Sequence, residues 1–210
     1  MRVIENPVQN VSKTIEKENN ANSKIESAKI EGGINPYRRK CTISDEMTKL
    51  LVLQIRHELA NYNIYSSFAV YFNGLGLSKL TKYWEGRATE EFHHHQWIIN
   101  YLYECDAEFK YPGISSSDIN IPDKEFPFKF TVDREIETTG MIYNLINKAI
   151  ESKDWATFTF LTGDSKEFGK LCIEQREEEK LSRDVLKIVQ SSKEDWYTIQ
   201  DAVHDLYFNK

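Results

Sequence analysis

From Ser44 onward, apolar side chains recur at intervals of three and four residues, the period of helices with one buried face. Ser44-Asp45-Glu46-Met47 offers an N-cap followed by acidic residues in a first turn. Leu51, Ile55, Leu59, Tyr62, Tyr65, Phe68, Ala69 and Phe72 carry the pattern on to Gly74-Leu75-Gly76. This predicts a first helix of about 29 residues, far longer than average. A second helix is predicted from Leu77 to near Glu104, followed by a loop marked by Pro112, Gly113, Pro122 and Pro127. A third spans about Val132 to Ser152, and a fourth runs from Asp154-Trp155 to near Gln190. A short fifth runs from Asp195 to Leu206, with Ile199, Val203 and Leu206 on one face.

The short breaks make antiparallel neighbours of helices one and two, and of three and four. The linker of about 25 residues can run the length of a helix about 42 Å long. The pattern therefore predicts an all-α fold: a four-helix bundle with one long crossover plus a short fifth C-terminal helix. No internal repeat is evident, which argues against a solenoid.

Residues 1–42 differ from the rest. They are rich in Asn, Ser, Lys and Glu, with no aromatic before Tyr37, and Gly32-Gly33 and Asn35-Pro36 have linker character. The division is a flexible polar extension over 1–42 and a helical domain over 43–210. A rival reading of the extension is a short docking helix: Ile4, Val8, Val11 and Ile15 fall at helical spacing around Asn6-Pro7.

Composition narrows the class without deciding the function. A chain of 210 residues, 40% hydrophobic and 29% charged, suits one soluble domain with a sizeable core. No apolar run is long enough to cross a membrane. Glu5, Glu16 and Glu18 argue against a transit peptide, and Cys41, Cys105 and Cys172 are scattered and odd in number. These features predict a reduced, cytoplasmic setting. The net charge of −6 argues against a general nucleic-acid binder. The extension carries eight Lys or Arg against five Glu, a weak signal for contact there.

Chemistry is concentrated in Ala88-Thr89-Glu90-Glu91-Phe92-His93-His94-His95-Gln96. Glu91 and His94 lie one turn apart on one helix face, so a carboxylate and an imidazole can meet one metal ion. This Glu-x-x-His pair is an established mark of helix-bundle di-iron proteins. Buried carboxylates are costly without a cation, so ligands should stand singly within apolar faces. Glu58 on the first helix and Glu135 on the third do so, and Glu174-Gln175-Arg176-Glu177-Glu178-Glu179 supplies the fourth. His93 and His95 point about 100° to either side of His94 and are read as non-ligands. The competing structural readings are a solvated charged face over Glu177 to Glu179 and a surface pairing of Glu58 with Arg56 or His57.

These residues together resemble the bacterial non-haem ferritins, over about residues 44 to 208. His57-Glu58-Leu59 through Tyr65 is similar to the family's first-helix segment. Arg87 through Gln96 is similar to its His-Ala-x-Glu-Glu-Met-x-His-x-Gln run. Glu135 with Thr139, Ile142 and Leu145, Asp154 through Leu161, and Glu174-Gln175-x-Glu177-Glu178-Glu179 match the later helices. The resemblance implies a first iron held by Glu58, Glu91 and His94, and a second by Glu91, Glu135 and, more loosely, Gln175. It implies a further acidic iron site at Glu90, Glu174, Glu177 and Glu178, and Tyr65 as an electron donor close to the irons. Phe92 and Glu178 replace residues that haem bacterioferritins use, so no haem is implied. The segment between Leu161 and Gln175 is about seven residues longer than the family pattern, which either preserves the facing with a drift of about 20° or breaks the helix.

The implied function is iron storage: Fe(II) is oxidised by dioxygen or hydrogen peroxide and the ferric product is kept in a hollow homo-oligomer. The short fifth helix is the element that the family's 24-subunit cages use at four-fold contacts; storage itself requires only a closed symmetric assembly. Two other readings fit the same residues. One is a ferritin-like di-metal oxidase without storage. The other is a structural or cargo-binding module that docks through its N-terminal tail.

Overall fold

A computed structural model describes residues 42–114, 119–163, 171–192 and 195–209. Among them lie six helices and no strand: α1 (Asp45–Gly74), α2 (Ser78–Glu104), α3 (Phe126–Glu151), α4 (Trp155–Thr162), α5 (Leu171–Ser191) and α6 (Trp196–Phe208). The expected N-terminal extension, and the docking helix within it, lie outside the described residues.

α1 begins where Ser44 Oγ accepts the Met47 N–H at 3.1 Å, satisfying one of the free donors of a first turn. It ends in a tight reversal in which Gly76 takes φ +73°, a conformation that costs a β-carbon-bearing residue strain. α2 then returns antiparallel, and Thr42 N–H donates to Cys105 O at 3.0 Å where the far ends meet. α3 also runs against α1: Glu46 pairs with Lys148, His57 with Thr138, and Phe72 with Phe128. Since α2 and α3 both oppose α1, they point the same way, and residues 105–125 make the crossover between them.

Two expected boundaries are corrected. α3 starts at Phe126 and not near Val132, because Pro127 sits in the first turn, where its missing N–H costs nothing. Asp123 Oδ1 accepts the Phe126 N–H at 2.8 Å just before it. The fourth helix is not continuous. α4 stops at Thr162, and Gly163 is extended at φ −64° and ψ 168°. Helix resumes at Leu171; most of the long segment between them lies outside the described residues.

The core divides into two apolar clusters. One gathers Met47, Leu51, Ile55, Ile98, Leu102, Ile142 and Leu161. The other gathers Phe68, Phe72, Leu80, Trp84, Phe128 and Val185, with Ile199 and Val203 of α6 added to its flank. Trp84 meets Phe68 edge-on at 4.9 Å. Each such buried side chain contributes roughly 1.5–3 kcal/mol. Between the clusters lies a layer of buried polar side chains: Gln54, Glu58, Asn61, Arg87, Glu91, His94, Glu135, Gln175 and Glu178.

Candidate metal centre

Four helices supply this polar layer. Glu58 of α1, Glu91 and His94 of α2, Glu135 of α3 and Gln175 of α5 are each at most 1% exposed, and Glu178 is 7% exposed. Ligand atoms of Glu58, Glu91 and His94 lie within 4.8 Å of one another, and so do those of Glu91, Glu135 and Glu178. Glu91 belongs to both groups and stands between them.

The donor atoms are free to a degree unusual for a protein interior. Among the described residues, Glu58 Oε2, both carboxylate oxygens of Glu91, His94 Nδ1 and Gln175 Oε1 are buried without a hydrogen-bond partner. Such atoms pay their desolvation cost with nothing to offset it, which is the condition a cation relieves. Two carboxylates and an imidazole in one group, and three carboxylates beside an amide oxygen in the other, suit a hard to intermediate divalent cation such as Fe(II).

Electrostatics follow the same logic. Burial pushes Glu58 well above the ordinary carboxylate range, and the Glu91 charge beside it adds to that. Burial likewise raises Glu178 and Glu135. Burial alone would also raise Glu91, but His94, 3.6 Å away, and the charge of Arg87 outweigh it and leave Glu91 low. Burial alone would lower His94. The carboxylates of Glu178, Glu174 and Glu91 outweigh that and raise its pKa well above the usual imidazole value. The ring nitrogens stand 3.4 Å from Glu178, 3.5 Å from Glu174 and 3.6 Å from Glu91.

The remaining expected residues sort themselves around this centre. Tyr65 donates to Glu135 Oε1 at 2.6 Å, and burial with the Glu135 charge holds the phenol well above its usual range. Gln175 Nε2 donates to Glu135 Oε2 at 2.7 Å. Glu90, Glu174 and Glu177 line a cleft of about 330 Å³ that reaches His94 from the surface, and Glu178 forms its inner wall. Glu178, expected in the outer acidic site, thus faces the inner group as well.

Glu58 does not pair with Arg56 or His57 at the surface; it is fully buried and accepts from Gln54 Nε2 at 2.6 Å. His57 turns to α3, against Thr138 and Arg134. Glu179 is held by Thr139 and Arg183 and stays outside both metal-ligand groups. Sequence reasoning missed Gln54 and Arg87. Each precedes a candidate ligand, Glu58 or Glu91, by four residues and so shares its face.

The ferritin family, described as a ferritin-like domain, matches residues 48–187. This chain belongs to the ferritin family. The bacterial non-heme ferritin of Staphylococcus aureus strain USA300 is 29% identical over 119 residues, 57% of this chain and 72% of that protein. Ferritin BfrB of Mycolicibacterium smegmatis is 31% identical over 101 residues, 48% of this chain and 56% of its own length. These relatives place the ferritin with the bacterial type. Among solved structures, the open pore ferritin of the hyperthermophilic archaeon Archaeoglobus fulgidus aligns with a TM-score of 0.72 at 24% identity. That alignment covers 80% of this chain and 99% of the archaeal one, a likeness of fold. No helix among the described residues of this ferritin is long and apolar enough to cross a membrane.

Proposed function

We propose that this ferritin-family protein oxidises Fe(II) to Fe(III) at the buried centre and stores the ferric product inside a closed homo-oligomeric shell in the cytoplasm. The observation that carries the reading is the pair of metal-ligand groups, both buried, sharing Glu91 and reached through an acidic cleft. Fe(II) is the substrate. Glu90, Glu174 and Glu177 at the cleft attract it, since clustered carboxylates raise the local cation concentration. Glu58, Glu91 and His94 would hold one ion; Glu91, Glu135 and Glu178, with Gln175, the second. Two ferrous ions give one electron each, and dioxygen takes both with two protons to leave hydrogen peroxide. Oxygen donors favour the ferric product.

The His94 imidazole would be a ligand of the first ion, with Glu174 and Glu178 beside it at the cleft wall. Tyr65, hydrogen-bonded to Glu135, would supply an electron during oxygen reduction. Closure into a 24-subunit shell follows the family resemblance; light scattering and electron microscopy of the full chain check it.

The test of the chemistry is Fe(II) oxidation by the assembled protein, followed by oxygen uptake and ferric absorbance. Glu91→Ala with His94→Ala should fall to the rate of Fe(II) in buffer. An unchanged rate would remove the oxidation site from this layer.

A further inference from the structure

The two metal-ligand groups are not equivalent, and the difference lies in Arg87. Its side chain is fully buried. Nη2 stands 2.6 Å from Glu135 Oε1 and 3.6 Å from Glu178 Oε2, and Nη1 donates to Glu90 Oε2 at 2.8 Å. Glu135 already accepts three hydrogen bonds: Oε1 receives Tyr65 and Arg87, and Oε2 receives Gln175. Two of the three carboxylates in the Glu91, Glu135 and Glu178 group are therefore within reach of a guanidinium that is always charged. No arginine or lysine pairs with Glu58 or Glu91 among the described residues; Glu58 Oε2 and both Glu91 oxygens make no hydrogen bond, and neither does Glu178 Oε2, which has only the 3.6 Å approach of Arg87.

We propose that Arg87 occupies the second half of the centre as a built-in cation, so that one divalent ion binds tightly at Glu58, Glu91 and His94, and a second enters only when the guanidinium leaves Glu135. This rests on the metal reading above and adds an order of filling to it. A fixed positive charge a few ångströms from a second dication repels it strongly in a buried setting. The landing place is present. Glu90 already holds Nη1, is partly exposed at the cleft, and is itself anchored by Tyr207 Oη of α6 at 3.0 Å. Arg87 can keep that hand-hold while Nη2 swings off Glu135 toward the cleft. The terminal helix thereby fixes the acceptor that Arg87 turns to. Arg87 acts as a positioning and specificity residue; it holds the place of the second metal ion.

The probe is Zn(II), a redox-inert dication, with the full-length assembled protein. Anomalous diffraction at increasing Zn(II) reads the occupancy of each position, and calorimetry reads the steps. In the wild type, the Glu58, Glu91 and His94 position should fill first. The second should need at least about a hundredfold more Zn(II), with Arg87 displaced toward Glu90. In Arg87→Gln the two positions should fill together. Equal filling in the wild type with Arg87 still on Glu135 would overturn the proposal, as would an unchanged gap in Arg87→Gln. The wild-type maps decide the matter even if that variant does not fold. Zn(II) at neither position would overturn the metal reading itself, and the proposal with it; Zn(II) at both positions with equal affinity would overturn the proposal alone.

Discussion

The Tyr207 hydroxyl lies over the bare backbone of Gly86: a β-carbon at position 86 would stand 2.5 Å from that oxygen. The same hydroxyl donates to Glu90 Oε1, and the ring meets Tyr83 edge-on at 5.2 Å. In an exposed helix interior, Gly→Ala usually stabilises by about 1 kcal/mol. Here the ring would have to turn away, giving up a hydrogen bond and an aromatic contact worth about 0.5–1.5 kcal/mol each. Gly86→Ala should therefore be neutral or destabilising in the wild type and stabilising in a Tyr207→Ala background. Denaturant unfolding of the four proteins gives the coupling. A gain of the same size in both backgrounds would mean that α6 does not depend on Gly86.

His57 should make the protein sensitive to acid. Its Nδ1 accepts from Arg134 Nη2 at 3.1 Å, so its proton sits on Nε2, which faces Thr138 Oγ1 at 2.7 Å. Burial and the Arg134 charge lower its pKa from 6.5 to about 4. The folded state then binds fewer protons than the unfolded chain between those values. Stability from neutral His57 is complete above about pH 6.5 and is lost as pH falls toward 4. Between pH 7 and pH 5 the loss is about 2 kcal/mol. His57→Gln, whose amide can meet the same two partners, should lack that component. Unfolding free energies at the two pH values, equal in slope for both proteins, would remove His57 as the cause.

The outlines of α1 and α2 were legible because each has a local signal: the Ser44 cap, the Gly76 turn and a steady period of apolar residues. Glu58, Glu91 and Glu135 were legible for a related reason, as single acids inside apolar faces. The start of α3 was not, since a proline reads as loop unless the chain is known to place it in a first turn. The interruption after Thr162 was ambiguous, since an extended Gly163 and a helical one look alike in sequence. Arg87 was beyond reach for a different reason. A long cation on a helix normally extends to water. Glu90 on the same helix, with Glu135 and Glu178 from two other helices, makes its burial tolerable, and the part that crosses helices has no local trace. The spacings of three to Glu90 and four to Glu91 were the available hints.

Asp154 should control the order of α4. Its Oδ1 accepts the Thr157 N–H at 3.0 Å and its Oδ2 accepts the Thr157 hydroxyl at 2.6 Å. With its own proton so committed, Thr157 Oγ1 accepts from Tyr101 Oη at 2.8 Å, and Tyr101 stacks on Phe160 at 4.1 Å. A helix of 8 residues is too short to be stable alone, so these anchors decide its existence. Asp154→Ala should cost about 1–2 kcal/mol, and amide exchange should quicken over Trp155–Thr162 before it does elsewhere. Asp154→Asn keeps one acceptor, for the Thr157 N–H, and loses the other, and should cost less. Uniform exchange across the bundle in Asp154→Ala would mean that α4 is held by packing alone.

Glu58 offers a test of what the centre costs the protein in the absence of metal. Its Oε1 accepts from Gln54, its Oε2 is buried without a partner, and the Glu91 charge lies beside it. Glu58→Gln keeps the shape and the acceptor toward Gln54, and it turns an N–H toward the unpartnered oxygens of Glu91. The metal-free variant should be more stable than the wild type by about 1–3 kcal/mol, the scale of satisfying a buried charged group. Added Zn(II) should reverse the ranking. It raises the melting temperature of the wild type through preferential binding to the folded state, and that rise should be small or absent in the variant. A metal-free Glu58→Gln protein that melts below the wild type would mean that Glu58 is a structural acid. A variant that matches the wild-type Zn(II) shift would mean that the first ion binds without Glu58.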